Sequence, residues 1–359
     1  MSFSKFWVGK RVVITGHTGF KGGWLALWLW TLGAKVYGYS LPPPTEPNFF
    51  SAVNLQTCLE DHIVGDVRDY ASISKVMLQI EPEIVFHLAA QSLVGIGYKD
   101  PLTTYETNVM GTVNLLEAVR NTPSVKEVII ITSDKCYENR EWVWPYRETD
   151  TLGGFDPYSS SKACAEIISS SYKRAFFKSK VALATARAGN VIGGGDWAQD
   201  RLIPDCIKAF TSNKPVILRN PHSLRPWQHV LEPLFGYLIL AEKIYSNPDK
   251  FSGPWNFSPY AETGDATVYD VAKLVADEWE GVHILKKTEE SNTFHEAAVL
   301  RLDNTKAVTL LNWKPKWSLK EAVKETVKWY KQYYAQEGVK DMKEFSIRQI
   351  SEYMDTPSS

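Results

Sequence analysis

Short runs of β-branched and apolar residues recur through the first half of the chain, separated by longer amphipathic stretches. Such runs predict buried parallel strands, because a strand covered on both faces carries apolar residues at successive positions. The six predicted strands are residues 12–14, 35–39, 62–64, 84–87, 127–132 and 181–186. The stretches between them are typical of helices. This alternation predicts an α/β fold built on a doubly wound parallel sheet.

The pattern changes after residue 190, where strand and helix signals alternate less regularly. Apolar runs and helical spacing predict a strand at 216–218 and helices near 231–244, 266–279 and 319–330. Ser318 and Glu321 form a capping-box pattern at the start of the last of these helices. We therefore expect a smaller lobe of mixed α/β structure in the second half of the chain.

Three glycines spaced three apart, Gly16, Gly19 and Gly22, close the first predicted strand and open the first helix. Gly16 permits a tight turn, Gly19 lets the backbone approach a ligand, and Gly22 lets the helix pack closely on the strand. A helix N-terminus reached through such a turn binds the diphosphate of a dinucleotide, whereas the alternative is a glycine-rich surface turn. We predict a Rossmann-type dinucleotide-binding domain at residues 1–189 and a substrate-binding lobe at 190–359. Residues near 228–250 are expected to return to the first domain.

The ends of the second and third strands indicate which dinucleotide binds. Dinucleotide folds commonly place an acid at the end of the second strand, but here that position holds Ser40. No Arg or Lys lies between Ser40 and Asn48 to pair with a 2′-phosphate, so NAD is favoured over NADP. After the third strand, Asp66 is placed to hydrogen-bond the adenine amino group, with Val67 against the ring, or to cap the next helix.

The composition excludes several classes of function. Lys and Arg total 40 against 41 Asp and Glu, so the net charge of −1 provides no field that attracts nucleic acid or an anionic membrane. The longest apolar run, residues 24–32, is too short for a bilayer, which takes about 20 residues. The four cysteines lack the spacing of a metal site or a disulfide framework: Cys58, Cys136, Cys164 and Cys206. With no signal-peptide pattern before the first strand, we expect a cytoplasmic protein without a bound metal.

Polar residues suited to catalysis follow the fifth predicted strand. Ser133, Asp134 and Lys135 come directly after it, and ligands of open α/β sheets bind beyond the carboxyl ends of the strands. Tyr158 and Lys162 begin the next helix one turn apart, so that an ammonium group can lie beside a phenol. We therefore expect these five residues to meet at one edge of the sheet.

The glycine motif, the small residues after the fourth strand and the Tyr158/Lys162 pair together resemble the extended short-chain dehydrogenase/reductase family. The resemblance covers nearly the whole chain. Longer motifs are similar to the nucleotide-sugar 4,6-dehydratases of that family, at residues 16–22, 132–137, 187–197 and 225–230. Within that group, His17 and Lys135 are typical of the enzymes that act on CDP-glucose. The loop at 92–97 differs from the family pattern, which has a proline and then a basic residue in this loop.

The resemblance implies a tightly held NAD and a nucleotide-sugar substrate. It assigns cofactor binding to Gly16, His17, Thr18, Gly19, Phe20, Gly22, Asp66, Val67, Leu88, Ala89, Ala90, Gln91, Asn108, Thr132, Tyr158 and Lys162. It assigns the nucleotide and diphosphate of the substrate to Asn190, Arg201, Leu202, Pro204, Arg219, Arg225 and Arg301. It also implies a homodimer or a dimer of dimers, joined through helices at 105–119 and 158–177, and a role in deoxysugar synthesis such as that of lipopolysaccharide O-antigen.

The reaction implied by the resemblance converts CDP-D-glucose to CDP-4-keto-6-deoxy-D-glucose. Oxidation of C4 makes the C5 hydrogen acidic, the C6 hydroxyl leaves as water, and the hydride taken from C4 returns to C6. Tyr158 would accept the O4 proton, since the charge of Lys162 favours a phenolate. Ser133 would hydrogen-bond the substrate oxygen or the phenol. A neutral Asp134 would protonate the leaving hydroxyl, and Lys135 would accept the C5 proton.

Three alternatives stay open from the sequence. His17 or water, instead of Lys135, would move the C5 proton. A nucleotide-sugar 4-epimerase would use the same Tyr158 for C4 oxidation and re-reduction but would have no use for an acid/base pair at Asp134 and Lys135. A non-catalytic dinucleotide-binding regulator would not need Tyr158 and Lys162, both of which are present here.

Overall fold

The structure, a computed structural model, describes residues 3–178, 180–260, 265–279, 285–287, 297–335 and 341–357. Its strands are β1 Arg11–Thr15, β2 Lys35–Ser40, β3 Asp61–Val64, β4 Ile84–His87, β5 Glu127–Ile131, β6 Ala182–Ala188, β7 Val191–Ile192, β8 Val216–Leu218, β9 Leu224–Pro226, β10 Gln228–His229, β11 Gly253–Phe257, β12 Asp265–Thr267 and β13 Leu285–Lys287. Seven of these strands form a parallel sheet in the order β11-β6-β5-β4-β1-β2-β3. The doubly wound parallel sheet predicted from the sequence is therefore confirmed.

Helices cover both faces of this sheet. They are α1 Phe3–Trp7, α2 Phe20–Thr31, α3 Phe49–Ala52, α4 Tyr70–Ile80, α5 Val94–Lys99, α6 Pro101–Tyr105, α7 Gly111–Arg120, α8 Pro157–Tyr172, α9 Leu202–Thr211, α10 Leu231–Ser246, α11 Pro248–Phe251, α12 Val268–Trp279, α13 Leu319–Tyr334 and α14 Met342–Asp355. Short 3-10 turns occur at Leu55–Cys58 and Asp134–Cys136, and π turns at Glu106–Met110, Lys173–Phe177 and Ala307–Leu311. Within the described residues, no helix is both long and apolar enough to cross a membrane.

Successive residues of the central strands enter two different hydrophobic clusters. Val12 and Ile14 of β1 pack in the cluster that contains α2 and α10, while Val13 lies in the cluster beneath α4 and α7. Because a strand alternates its side chains between the two faces of a sheet, burial on both faces requires apolar residues at every position. This is the physical reason that β1, β4 and β5 contain unbroken apolar runs, whereas β2, β3 and β6 also carry polar or small residues.

The seventh strand, β11, carries no such signal. Residues 253–257 contain no β-branched residue and include Gly253 and Pro254, yet they pair in parallel with β6 from Ala184 to Ala188. The sheet therefore continues past residue 189, and helix α10 packs on β5 and β6 just before this strand. The division into two lobes at residue 189 stays a prediction.

The second half adds three two-stranded sheets, β7 with β10, β9 with β12, and β8 with β13. The helix predicted at 266–279 begins two residues later, because Ala266 pairs with Arg225 in the β9–β12 sheet. Asp270 accepts a hydrogen bond from the Thr267 backbone N–H at 3.0 Å. The capping box before α13 is confirmed, since Ser318 and Glu321 bond each other's backbone N–H groups.

Candidate active site

The glycine turn between β1 and α2 forms a cradle with no room for side chains. Gly16 has φ +79°, and a Cβ there would lie 2.6 Å from the backbone nitrogen of Ala89. A Cβ on Gly22 would lie 2.1 Å from the Gly16 carbonyl oxygen. Helix α2 begins at Phe20, and its N-cap, Gly19, offers no side chain to the first N–H groups. The diphosphate of NAD fits this turn, because uncapped N–H groups at a helix N-terminus bind anions.

Other predicted cofactor residues surround the turn. Thr18 Oγ1 lies 2.8 Å from Ser40 Oγ, so the end of β2 presents hydroxyl groups where many dinucleotide folds have an acid. Phe20 packs against the large hydrophobic cluster. Thr132, after β5, directs its hydroxyl into the interior, where it donates to Glu166 at 2.5 Å.

Asp66, predicted either to bind adenine or to cap a helix, does not cap the helix. The N-cap of α4 is Asp69, which accepts a hydrogen bond from the Ser72 backbone at 3.1 Å. Asp66 instead accepts two hydrogen bonds from the Arg68 guanidinium, at 2.6 and 2.9 Å, which hold the pKa of this carboxyl below its usual value. The cap interpretation is therefore wrong, and the adenine contact stays a prediction. The Val67 side chain is buried in the hydrophobic cluster beneath α4 and α7.

His17 lies on the side of β1 away from the end of β5. Its Nε2 atom lies 2.7 Å from Nδ1 of His62, and its ring packs against Phe50. His62 belongs to β3, the edge strand four places from β5 in the sheet. Burial lowers the pKa of His17 to about 3, so its imidazole is neutral. This position contradicts the alternative in which His17 moves the C5 proton, because Asp134 and Lys135 follow β5.

Asn108 joins the loop after β4 to helix α8. Its Oδ1 accepts from the Gln91 backbone N–H at 2.8 Å, and its Nδ2 donates to the Gln91 carbonyl and the Ser161 hydroxyl, each at 2.9 Å. The three residues before Gln91 are half-buried: Leu88, Ala89 and Ala90. Asn108 thus fixes the backbone of this loop at Gln91.

Ser133 and Asp134 begin a tight turn, residues 133–136, which we call the β5 turn. Ser133 Oγ donates to Asp134 Oδ1 at 2.9 Å and accepts from the backbone N–H of Lys135, which is half-buried, at 3.2 Å. Asp134 is 4% exposed, and its Oδ2 has no hydrogen-bond partner among the described residues. Burial raises the pKa of Asp134, although the neighbouring Lys135 charge opposes the shift. A buried carboxyl with one free oxygen is suited to holding a proton for a leaving group.

Tyr158 and Lys162 reach the same place from helix α8. The Tyr158 phenol is buried, and burial raises its pKa to about 12, although the nearby Ser133 hydroxyl opposes the shift. Lys162 Nζ donates to the Ile131 carbonyl at the end of β5, at 3.2 Å, and burial lowers its pKa to about 8. Among the described residues no hydrogen bond joins the phenol to the ammonium group, although both lie on one face of α8 as predicted.

Lys21 is a further cation at the site and was not among the predicted residues. It is the second residue of α2, and its charge interacts with those of Arg201, Lys162 and Asp134. Burial, with the two like charges, lowers the pKa of Lys21 to about 7. The signal was present in the glycine motif, because Lys21 lies between Gly19 and Gly22, in the segment predicted to bind a dinucleotide.

Arg201, just before α9, contacts the loop that departs from the family pattern. Its Nη1 pairs with Asp196 Oδ2 at 2.8 Å, and its Nη2 donates to Ser92 Oγ at 3.2 Å. Its charge also interacts with Tyr158, so this arginine lies over the candidate site. Arg201 therefore places a guanidinium beside the loop in which the family pattern has a basic residue.

The other predicted substrate residues lie at different depths. Arg225 is 4% exposed on β9, and its charge interacts with Asp134. Arg219 is 47% exposed and pairs at 2.7 Å with Asp200, itself 59% exposed, so this pair lies at the rim. The remaining four are buried or half-buried in the second half of the chain: Asn190, Leu202, Pro204 and Arg301.

Comparisons with known proteins agree with this geometry. The family model described as GDP-mannose 4,6 dehydratase matches residues 13–326. A CDP-glucose 4,6-dehydratase from Salmonella typhimurium is 51% identical over 355 residues, which cover 97% of this chain and 97% of the relative. Two solved structures share the fold. The dTDP-glucose 4,6-dehydratase DesIV from Streptomyces venezuelae, with NAD bound, has a TM-score of 0.78 at 20% identity and covers 90% of this chain and 97% of its own. An epimerase from Methanothermobacter thermautotrophicus has a TM-score of 0.80 at 19% identity, with 93% and 96% covered.

The solved structures support the fold alone at these identities, whereas the family model and the Salmonella relative each cover most of the chain. The chain therefore belongs to the GDP-mannose 4,6-dehydratase family, within the extended short-chain dehydrogenase/reductases.

Proposed function

We propose that this protein is a nucleotide-sugar 4,6-dehydratase that converts CDP-D-glucose to CDP-4-keto-6-deoxy-D-glucose. The observation that carries the proposal is Asp134, a buried carboxyl that accepts a hydrogen bond from Ser133 and whose charge acts on the Tyr158 phenol. Water elimination needs a proton donor beside the group that oxidises C4, whereas a 4-epimerase has no step that uses one. The 51% identity to a CDP-glucose 4,6-dehydratase over nearly the full length supports both the reaction and the nucleobase.

NAD is the proposed cofactor, and when bound it supplies the acceptor for the electrons removed from C4. The first N–H groups of α2 would hold its diphosphate, because the cradle of Gly16 and Gly22 leaves the backbone bare. The backbone that Asn108 fixes after β4 would border the rest of the molecule. The lack of a basic residue between Ser40 and Asn48 supports NAD rather than NADP.

The oxidation step requires that Tyr158 accept a proton from the sugar. Burial alone raises the pKa of Tyr158 to about 12, so the phenol needs positive charge nearby when it acts. Lys162, with a pKa of about 8, is mostly charged at neutral pH and lies one helical turn away. The Ser133 hydroxyl is bonded to Asp134 and lies near the phenol, so the oxidation and elimination groups are neighbours.

The elimination step requires an acid at C6 and a base at C5. Asp134 is the acid, since burial raises its pKa and keeps a proton available. Lys135, the next residue, is the proposed base, with water as the alternative that stays open. Arg225 and Lys21 place positive charge around the same carboxyl and limit how far its pKa rises.

Incubation of the purified protein with NAD and CDP-glucose tests the proposal. A 4,6-dehydratase forms a 4-keto sugar, which absorbs in the ultraviolet in alkali, and in deuterated water it incorporates solvent deuterium at C5. An epimerase would give CDP-galactose without this absorbance, and a regulator would give no product. Parallel reactions with dTDP-glucose and UDP-glucose identify the nucleobase. If CDP-galactose is the only product, the dehydratase assignment is wrong.

A homodimer through α6–α7 and α8 is part of the same proposal, because these helices carry large exposed apolar side chains. Leu102 is 69%, Met110 50% and Ile167 56% exposed. Ile167→Glu should convert the dimer, or a dimer of dimers, to smaller species, as measured by light scattering after gel filtration. Ile217→Glu, at a 51% exposed position on β8, is the matched control and should leave the mass unchanged. A single mass for all three proteins would reject this interface.

The cytoplasmic location and the role in deoxysugar synthesis for lipopolysaccharide O-antigen stay predictions of this proposal.

A further inference from the structure

A buried ion pair, Glu166 with Arg187, lies beneath the β5 turn, and none of the proposed steps uses it. The Arg187 and Glu166 side chains are 2% and 3% exposed. Arg187 donates from Nη2 and Nε to the two carboxylate oxygens, at 2.7 and 2.9 Å, in a bidentate fork. Removing two charges from water is costly unless further hydrogen bonds satisfy them. The remaining partners therefore show what this pair holds in place.

The carboxylate of Glu166 ties helix α8 to two neighbouring strands. Thr132, at the end of β5, donates its hydroxyl to Oε1 at 2.5 Å. Thr185, on β6, donates its hydroxyl to Oε2 at 2.7 Å. With the two bonds from Arg187, the carboxylate accepts four hydrogen bonds and is fully used. Thr132 is the residue immediately before the β5 turn, so one end of that turn is held by Glu166.

The guanidinium of Arg187 holds the other end of the turn. Its Nη1 donates to the Tyr137 hydroxyl at 2.7 Å, and its central carbon, Cζ, lies 4.8 Å from the centre of the Tyr137 ring. Tyr137 is the residue immediately after the turn, and its hydroxyl donates to Asn256 Oδ1 on β11 at 2.8 Å. The β5 turn is therefore bracketed at both ends by partners of the same ion pair.

Glu166 also belongs to the helix face that carries the other reactive side chains. It follows Lys162 by one turn and Tyr158 by two, so the three residues lie along one face of α8. The negative charge of Glu166 raises the pKa of Lys162 against the effect of burial. The Glu166 carboxylate therefore bonds Thr132, the residue just before the β5 turn, and shares a helix face with Tyr158.

We propose that Glu166 and Arg187 are positioning residues that hold the Asp134 carboxyl at a fixed distance and orientation from the Tyr158 phenol. The inference rests on the proposed function, because it assigns those two side chains to successive steps on one bound sugar. Reacting groups must be held closely, and a displacement of about 1 Å costs on the order of 100-fold in rate. Removing a hydrogen bond that holds either end of the β5 turn should therefore slow elimination more than C4 oxidation. Helix α8 would still hold Tyr158, while Asp134 would move with the turn.

Two single-hydroxyl variants separate positioning from stability. Tyr137→Phe frees the far end of the β5 turn from Arg187, while Thr185→Val removes a bond from the same carboxylate without touching the turn. Each variant removes one hydrogen bond from the buried pair. In both cases the affected atom keeps a second partner, so thermal unfolding should show comparable losses of stability. The full-length chain loaded with NAD is used throughout. Hydrogen–deuterium exchange of peptides that cover residues 133–136 provides a measurement that does not depend on activity.

In Tyr137→Phe we expect kcat roughly 10- to 100-fold lower with KM within about twofold, and reduced nicotinamide that accumulates during turnover. Exchange in the β5 turn should be faster. Thr185→Val should keep kcat within about twofold and leave that exchange unchanged. Equal effects of the two variants would make the ion pair purely structural and overturn the inference. If the wild type forms no 4-keto sugar, the proposed function is wrong, and the exchange measurement alone then decides whether the pair holds the turn.

Discussion

Replacing Asp134 by Asn removes the proposed proton donor while changing the site little. Asn keeps an oxygen where Ser133 donates at 2.9 Å, and its amide nitrogen takes the place of Oδ2, which has no hydrogen-bond partner among the described residues. A Cβ on Gly189 would lie 3.1 Å from Oδ2, so the carboxyl already fills its space and an isosteric amide suits it. Tyr158 should keep its place near Ser133, and C4 oxidation should persist with it.

The expected loss follows from what a general acid contributes. Proton transfer by a positioned acid is worth about 10²–10⁴ in rate, which is about 3–5 kcal/mol of barrier. We therefore expect water elimination in Asp134→Asn to fall by that factor while reduction of the cofactor remains detectable. In the wild type, elimination needs the protonated carboxyl, so its rate should fall as pH rises through the raised pKa of Asp134. The variant should lack this limb of the pH profile.

Rapid mixing with CDP-glucose follows the two steps separately. The near-ultraviolet absorbance of reduced nicotinamide reports oxidation, and the alkaline absorbance of the 4-keto product reports elimination. Asp249→Asn, at an exposed position on α11, is the matched control and should behave as the wild type in both. Elimination at the wild-type rate in Asp134→Asn would refute the reasoning, and so would a parallel loss of oxidation and elimination.

Three further predictions concern stability and binding. Glu127 is fully buried, and burial raises its pKa in the folded protein well above the ordinary 4.5. Above pH 4.5 the folded protein therefore keeps a proton that the unfolded chain releases, and the free energy of unfolding falls as the pH rises, by about 1.4 kcal/mol per pH unit. Glu127→Gln should therefore gain stability over the wild type from pH 5 to pH 7 in urea unfolding, and a constant difference would contradict this. Gly22→Ala should abolish NAD binding measured by calorimetry, because the alanine Cβ would lie 2.1 Å from the Gly16 carbonyl oxygen. Unchanged affinity would refute the proposal that this glycine turn binds the diphosphate. Arg201→Lys should raise the KM for the nucleotide sugar about tenfold or more, whereas Arg219→Lys at the rim should change it less than about threefold. Equal effects would refute the proposal that Arg201 contacts the substrate more closely than Arg219 does.

Local sequence was sufficient for most elements of the first half. Burial on both faces forces apolar residues into successive positions, so β1, β4 and β5 contain unbroken apolar runs. β11 was missed because Gly253, Pro254 and Trp255 give no periodic signal, and its place at the sheet edge depends on pairing with β6. Asp66 shows the same limit, because the choice between capping and pairing depended on where Asp69 and Arg68 lie in space.

Part of the candidate site also followed from simple rules. Parallel strands end at one edge of a sheet, so Ser133 and Asp134 after β5 had to lie there, and helical spacing placed Tyr158 and Lys162 on one face. The rules could not assign partners to individual side chains. The two lysines of the site illustrate this, since Lys162 bonds the Ile131 carbonyl rather than the phenol. Lys21 lies close enough to interact with Lys162 and Asp134, although it was not predicted as a site residue.

The sequence by itself determined the doubly wound sheet, the bare glycine turn and the order in which the polar groups leave the strands, because these depend on residues close together in the chain. Tertiary structure alone decided that His17 faces His62, away from the β5 turn, and that Arg187 reaches Tyr137 across 50 positions of sequence. Such contacts depend on distances that no local pattern contains.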